Sequence, residues 1–276
     1  MLTEIGPAAA PDREAAVRRL LPPPRADRLL ALLASGEVAA DHLLVARRGG
    51  RLVGAAFAEV TADGLAEVDP PAGDDVATAD ALAVAQLERL RAAGVAVAQC
   101  LLAPDEVANA APLLRAGFRH VTRLVGLRRE PAAFDFSPVI LHIIPVVAGD
   151  PELVATFAAT LTGSSDMPEL TGVRPPAVEL AGYPATHRFL ARVGGEPVGL
   201  LLLAAGEVQY LGLVPGVRGK GCGTSLLRLA LAVLAADGAT VTVSTDGRNR
   251  PAIRLYERHG FRRCRSQEVF LWTAGN

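Results

Sequence analysis

The sequence predicts an α/β (α+β) chain made of two successive copies of one fold, and three observations predict it. Short apolar runs of β type alternate with helical patterns along all 276 residues. Landmarks of the first half recur in the second: Gly54 and Gly199 stand 145 residues apart, Gly94 and Gly238 stand 144 apart, and Gly117 and Gly260 stand 143 apart. A glycine-rich loop, Arg218 to Gly223, lies between a β-type segment (210–214) and an apolar helical run (224–236). The length suits two domains of ordinary size. Punctuation at Pro131, Asp135 and Pro138 puts their limits at 1–134 and 135–276.

In the first copy, helical patterns cover 13–21 and 25–33 on either side of the Pro22–Pro24 break. Strands at 42–48 and 51–60 flank the Gly49-Gly50 turn, and a short strand covers 65–68. A helix (78–93), a strand (95–102), a helix (108–116) and a strand (120–128) complete it. The second copy reads as a strand (139–147), a helix (152–161), a polar loop (162–174) and a short helix (177–182). A hairpin (187–193 and 197–203) follows around Gly194-Gly195, then the glycine loop and its helix.

The loop has the composition of an anion cradle. Glycines let successive backbone N–H groups converge on one point, and such a concavity at a helix N-terminus favours negative charge. Arg218 and Lys220 add positive charge, and Gly219, Gly221, Cys222, Gly223 and Thr224 supply the backbone. The glycines alone leave a nucleotide loop open. A P-loop ends in Gly-Lys-Ser/Thr, whereas here Thr224 follows Gly223 with no lysine between. A dinucleotide fold wants an acidic residue after the next strand, and Asp246 stands there.

The downstream string 249–261, NRPAIRLYERHGF, decides between these readings. Together with RGKGCG at Arg218–Gly223 it resembles the GCN5-related N-acetyltransferases (GNAT), over roughly 186–272 and in that family's order. The resemblance implies two tandem GNAT-like domains, each a mixed, mostly antiparallel twisted sheet flanked by helices. It implies acetyl-coenzyme A (acetyl-CoA) as cosubstrate, with its pyrophosphate on Arg218–Gly223 and its pantetheine arm along Leu213, Val214 and Asn249. It implies a primary-amine acceptor, a small molecule or peptide, whose specificity is built in the region before the hairpin. The 162–174 loop there holds Asp166, Glu169 and Arg174.

An amine with a reference pKa of roughly 8 to 10.4 must lose a proton before it attacks a thioester. The resemblance points to Glu207, on the strand entering the cradle, as the base. An even offset to Gln209, Leu211 and Leu213 sets all four on one face. Tyr256 matches the position of the general acid that protonates the departing thiolate. In the first copy, Asp74 and Asp75 stand opposite the cradle and Leu113 stands opposite Tyr256, so that copy is read as a degenerate domain without its cofactor site. The alternative from another class is a non-catalytic acyl-CoA-binding regulatory protein.

The net charge of −1 and pI near 6.5 give no footprint for nucleic acid or an anionic membrane. Cys100, Cys222 and Cys264 are scattered, which suggests a reducing compartment. The five histidines do not fall at metal-ligand spacing, so no metal is expected. With neither a secretory start nor a spanning apolar run, the reading is cytoplasmic.

Overall fold

The computed structural model of the chain describes residues 3–61, 64–131, 141–234 and 239–275. The landmark Gly238, residues 132–137 of the expected boundary, and the ends of the expected strand (139–140) and helix (235–236) lie outside the described residues. In chain order the elements are β1 (Thr3–Pro7), α1 (Arg13–Leu20), α2 (Pro23–Ser35), β2 (Leu43–Arg48), β3 (Arg51–Val60), β4 (Leu65–Val68), β5 (Ala72–Gly73), α3 (Val76–Ala92), β6 (Val97–Leu102), α4 (Ala111–Arg115) and β7 (Arg119–Arg129). Then follow β8 (His142–Pro145), α5 (Pro151–Leu161), α6 (Pro176–Ala181), β9 (His187–Val193), β10 (Glu196–Ala204), β11 (Glu207–Leu213), α7 (Cys222–Leu234), β12 (Val241–Asp246), α8 (Arg250–Arg258) and β13 (Arg262–Thr273).

Strand β1 is absent from the sequence reading, because TEIGP carries no alternation. It forms an edge strand on β2, where a proline need not donate. The proline run does not simply break a helix. Pro22 is the N-cap of α2 and the next prolines open its first turn, where the missing N–H costs nothing. Both predicted hairpins form. Gly49-Gly50 (φ 60 and 80) and Gly194-Gly195 (φ 59 and 91) take the positive φ pair that a tight turn between twisted strands requires.

The chain divides into two compact units, Met1–Val121 with Glu268–Asn276, and Thr122–Gln267. They do not coincide with the halves 1–134 and 135–276, because each sheet takes its last strand from the other half. In the first unit, Glu268–Thr273 pair antiparallel with β6. In the second, Leu124–Arg129 pair antiparallel with β12.

The first unit orders its strands β1-β2-β3-β4-β6 and then 268–273, with β4 and β6 parallel. Helices α1 and α2 bury Val17, Leu29 and Leu33 against Leu43, Val45 and Phe57 on one face. Helix α3 covers the other face, with Leu82 on Leu44 and Ala56, and Leu87 and Leu90 on Ala58, Ala98 and Phe270.

The second unit orders its strands β8-β9-β10-β11-β12 and then 124–129. The run Leu200–Leu203 has no polar alternation because both faces are covered. Leu200 and Leu202 pack with Leu153 and Phe157 of α5, while Leu201 and Leu203 pack with Leu226, Leu227 and Leu231 of α7. No helix among the described residues is long and apolar enough to cross a membrane.

The exchanged strand yields a test. Val269, Phe270, Leu271 and Trp272 are all buried, and at about 1.5–3 kcal/mol for each large side chain their burial rivals the stability of a whole domain. A chain ending at Gln267 is expected to lose amide-exchange protection across β6 in the first unit while β9 and β10 of the second keep theirs. Equal loss in both units would contradict the division.

Candidate functional site

The site begins with two strands that part. β11 and β12 run parallel and pair only at Glu207↔Thr242 and Val208↔Val243, yet β11 continues to Leu213 and β12 to Asp246. Past Val208 their facing edges are open. Val214 N–H donates to Val198 O at 2.9 Å. Neighbouring strand residues turn their backbone groups to opposite edges, so Leu211 and Leu213 present theirs to the gap. There Leu213 O accepts from Arg218 Nε at 3.0 Å.

A bulge decides which side chains face where. On β10 the consecutive residues Leu203 and Leu202 oppose Val208 and Tyr210, which leaves Gln209 as the extra residue. Val208 packs in the α7-side core with Leu211 and Leu213, whereas Tyr210 packs in the α5-side core. The bulge therefore reverses the alternation, and the expected single face of Glu207, Gln209, Leu211 and Leu213 does not exist. Glu207, next to Val208, lies on the α5 side instead. Its Oε2 accepts from Gln209 Nε2 at 2.9 Å. From Glu207 to Leu213 is about 20 Å of strand.

The cradle follows β11 directly. Gly219 and Gly221 have φ of 76 and 86, a region closed to most side chains. A Cβ on Gly223 would come within 3.2 Å of Leu255, so this glycine lets α7 approach α8. The first bond into α7 runs from Ser225 N–H to Gly221 O. The N–H groups of Cys222, Gly223 and Thr224 precede it and are the orphan donors of a helix start. The Cys222 side chain points into the core, 3% exposed, while Lys220 is exposed. Lys220 is the single lysine of the chain.

Arg218 is committed elsewhere. Besides Leu213 O, its guanidinium donates to Gly163 O at 2.9 Å, Thr160 O at 2.8 Å and Thr162 O at 2.9 Å. It collects the orphan carbonyls at the C-terminus of α5, the end a cation favours. The expected phosphate ligand is thus a clamp between the 160–163 turn and the tip of β11.

A second knot holds the tip of β12. The Asp246 carboxylate is fully buried and accepts from Thr122 Oγ1 at 2.6 Å, Arg248 N at 2.7 Å and Met167 N at 3.2 Å. Arg248 Nη2 adds a bond at 2.7 Å and also reaches Glu169 at 2.8 Å. Burial works to raise the Asp246 carboxyl, but the Arg248, Thr122 and Met167 bonds outweigh it and hold it below the ordinary range. In return, Asp246 N donates to Asp166 Oδ1 at 2.8 Å. Met167 sits at φ 46, a left-handed strain of order 1–3 kcal/mol that this reciprocal bracket sustains.

Burial raises the Asp166 carboxyl, against the pull of the Asp246 N–H. Its charge in turn reaches three tyrosines. Burial pushes Tyr256 up and Asp166 adds to it; burial likewise takes Tyr210 to about 12 and raises Tyr183, with Asp166 contributing to both. Tyr210 packs tilted on Phe157 and edge-on to Tyr183, with ring centroids 5.0 and 5.6 Å away, and shares a 2.8 Å hydrogen bond with Thr160. Tyr256 packs on Phe261 at 5.6 Å. Asn249 caps α8, its Oδ1 accepting from Ala252 N at 3.2 Å.

The fold thus gathers Leu213, Val214, the 218–224 loop, Asp166 and Tyr256 about the parted tips. Glu207 stands at the closed end. The Asp166–Asp246 bracket is missing from the sequence reading, and its only sequence signal is an acidic residue at the end of the strand after the cradle.

In the first unit the matching position is filled by the chain itself. Asp75 caps α3, its Oδ1 accepting from Thr78 N at 2.8 Å, and its other oxygen takes Arg48 at 3.0 Å. Hydrogen bonds from Thr78 and Arg48 lower this carboxyl to about 2. Asp74 pairs with Arg51 at 2.7 Å and with Arg19.

Residues 161–261 match the model of the acetyltransferase (GNAT) family. Over 59 residues, 21% of this chain, the sequence is 44% identical to mycothiol acetyltransferase of Beutenbergia cavernae, a match that spans 20% of that relative's length. The GCN5-related N-acetyltransferase from Sphaerobacter thermophilus superposes with a TM-score of 0.62 at 15% identity, over 98% of this chain and 95% of that one. A tandem GNAT protein from the clavulanic acid biosynthesis pathway does so with a TM-score of 0.55 at 16% identity, over 100% and 99%. At such identities the likeness establishes the fold, an α/β arrangement of mixed sheets flanked by helices. The segment that matches the acetyltransferase (GNAT) family model spans the cradle and the string ending at Phe261.

Proposed function

We propose that the second unit transfers an acetyl group from acetyl-CoA to a primary amine, and that the first unit has lost its cofactor site. One observation carries the reading: the open edge between β11 and β12 leads straight into a glycine loop and the donor-rich start of α7. The family generally uses acetyl-CoA, and the residues present fit it. The N–H groups of Cys222, Gly223 and Thr224 would meet a pyrophosphate, helped by Lys220 rather than Arg218. Leu211 and Leu213 would take the amides of the pantetheine arm as an added strand, with Asn249 beside it, while Val214 turns its N–H to Val198 O and borders the gap without pairing there.

The bound cosubstrate supplies a thioester carbonyl. On the chain's side, a carboxylate takes the proton of the acceptor ammonium and Tyr256 gives its hydroxyl proton to the departing sulfur. Burial keeps Tyr256 protonated over the working range. Glu207, placed by the bulge on the α5 side, is the first candidate base. Asp166 is the second, favoured by its raised carboxyl and by its effect on Tyr256. In the first unit Asp74 and Asp75 occupy the phosphate position with their own arginines, which supports a silent copy.

Calorimetric titration is expected to show one acetyl-CoA site per chain, weakened at least tenfold by Lys220→Glu with Gly221→Val. Coenzyme A is expected to shield Lys220, the only side-chain amine, from acylating reagent as read by mass spectrometry. Two sites would overturn the silent copy, and no binding would sink the transferase reading.

Arg218→Met separates clamp from ligand. Loss of its carbonyl bonds is expected to cost about 2 kcal/mol in urea unfolding of the second unit, with little change in coenzyme affinity among the folded molecules. The reverse pattern would restore Arg218 as a phosphate ligand.

For turnover, Tyr256→Phe and loss of the true base are each expected to lower kcat by roughly 10²-fold or more with acetyl-CoA binding kept. Glu207→Gln and Asp166→Asn identify the base by which of them abolishes the acid limb of the kcat/KM profile. If binding persists and no amine is acetylated, the protein is a non-catalytic acyl-CoA-binding module.

A further inference from the structure

The geometry points to a small-molecule site in the first unit, one that takes a neutral ligand bearing a carboxamide-type edge on a compact apolar body. The inference is independent of the acetyl-transfer reading. A cavity of about 270 Å³ lies between β2 and β3 on one side and the second half of α3 on the other. Its walls are Leu44, Ala58, Val60 and Leu90, and the exposed Arg89–Asp41 ion pair (3.1 Å) stands at its rim. The space exists because an alanine-rich helix faces alanine-bearing strands, so few large side chains reach across.

Gln86 points into it from the buried stripe of α3. Thr78, Leu82, Gln86 and Leu90 recur every fourth residue and are all buried. Gln86 is 3% exposed, and neither its Nε2 nor its Oε1 has a hydrogen-bond partner among the described residues. His42 Nδ1, lining the same cavity, is also buried without a partner there. Buried amides are almost always paired, because leaving one dry forfeits its hydration. Three polar atoms lining one cavity, from opposite sides and unmet among the described residues, therefore specify what should come to them.

A side-chain amide offers a donor and an acceptor side by side, and their complement is another amide edge. A second N–H of the ligand would be free for His42 Nδ1. The ligand is neutral because Gln86 is uncharged and the rim cation is already matched by Asp41. The remaining walls are apolar, which fits the usual design of a ligand pocket with few polar groups. At ~30 Å³ per water the cavity would otherwise hold several waters, and that is the competing occupant.

Benzamide is the probe, titrated calorimetrically into the full-length wild type, Gln86→Met and Ala93→Leu. Methionine keeps the volume of Gln86 and removes the amide; leucine at the exposed Ala93 narrows the mouth and leaves Gln86 intact. The expected result is one site per chain in the wild type and at least tenfold weaker binding in each variant, with melting midpoints no lower than wild type. Absence of binding at millimolar benzamide, or equal affinity in wild type and Gln86→Met, would overturn the site and leave a water-filled gap. Should Gln86→Met fail to fold, unchanged affinity in Ala93→Leu overturns it equally.

Discussion

Everything in the second unit turns on two parallel strands that share only two register pairs. An open edge inside a sheet leaves backbone donors and acceptors that water or a ligand must satisfy, so the parting has to be held from outside. β11 is held by Arg218 on Leu213 O and by Val214 on β10. β12 is held by the Asp246 knot, which draws in Met167 at the cost of a strained backbone. Each tip is tied to the 160–170 turn by a different charged residue. The loop that borders the gap is therefore also the strut that keeps it open.

This coupling divides labour between two cations that look interchangeable in the sequence. A guanidinium has donors enough, in a fixed plane, to collect four carbonyls at once, and Arg218 does so. A lysine could not. Lys220, one position from the second glycine, keeps a mobile point charge at the surface where an anion would arrive. The positive φ of Gly219 and Gly221 lets the chain turn one of these side chains inward and the other outward.

Much of the fold is legible in the sequence because the signals are local. The glycine pairs fix both hairpins, and the repeated landmarks announce two copies. What escapes is non-local. The segments 119–129 and 262–273 each follow a Gly-Phe landmark and read alike, so no local property says which sheet either will complete. The Gln209 bulge escapes because it is a mismatch between strands, set by how β10 meets β11, and strand alternation read on one strand misplaces Glu207. Arg218 escapes because its partners lie 55 to 58 residues earlier in the chain.

The first unit shows what the same scaffold does with a different charge pattern. Its parallel pair β4 and β6 also leads to a turn and a long helix, but the turn carries Asp74 and Asp75, and arginines from α1, β2 and β3 converge on them. Asp75 takes the orphan N–H of Thr78 that an external anion would otherwise take. An anion approaching this point would meet two carboxylates whose counter-charges are already spent. On the proposed reading, losing the cofactor did not leave an unmet helix start, because side-chain carboxylates neutralise it from within. The first unit can thus keep a well-capped α3, and a sheet that supports a different pocket beneath that helix, without any phosphate ligand.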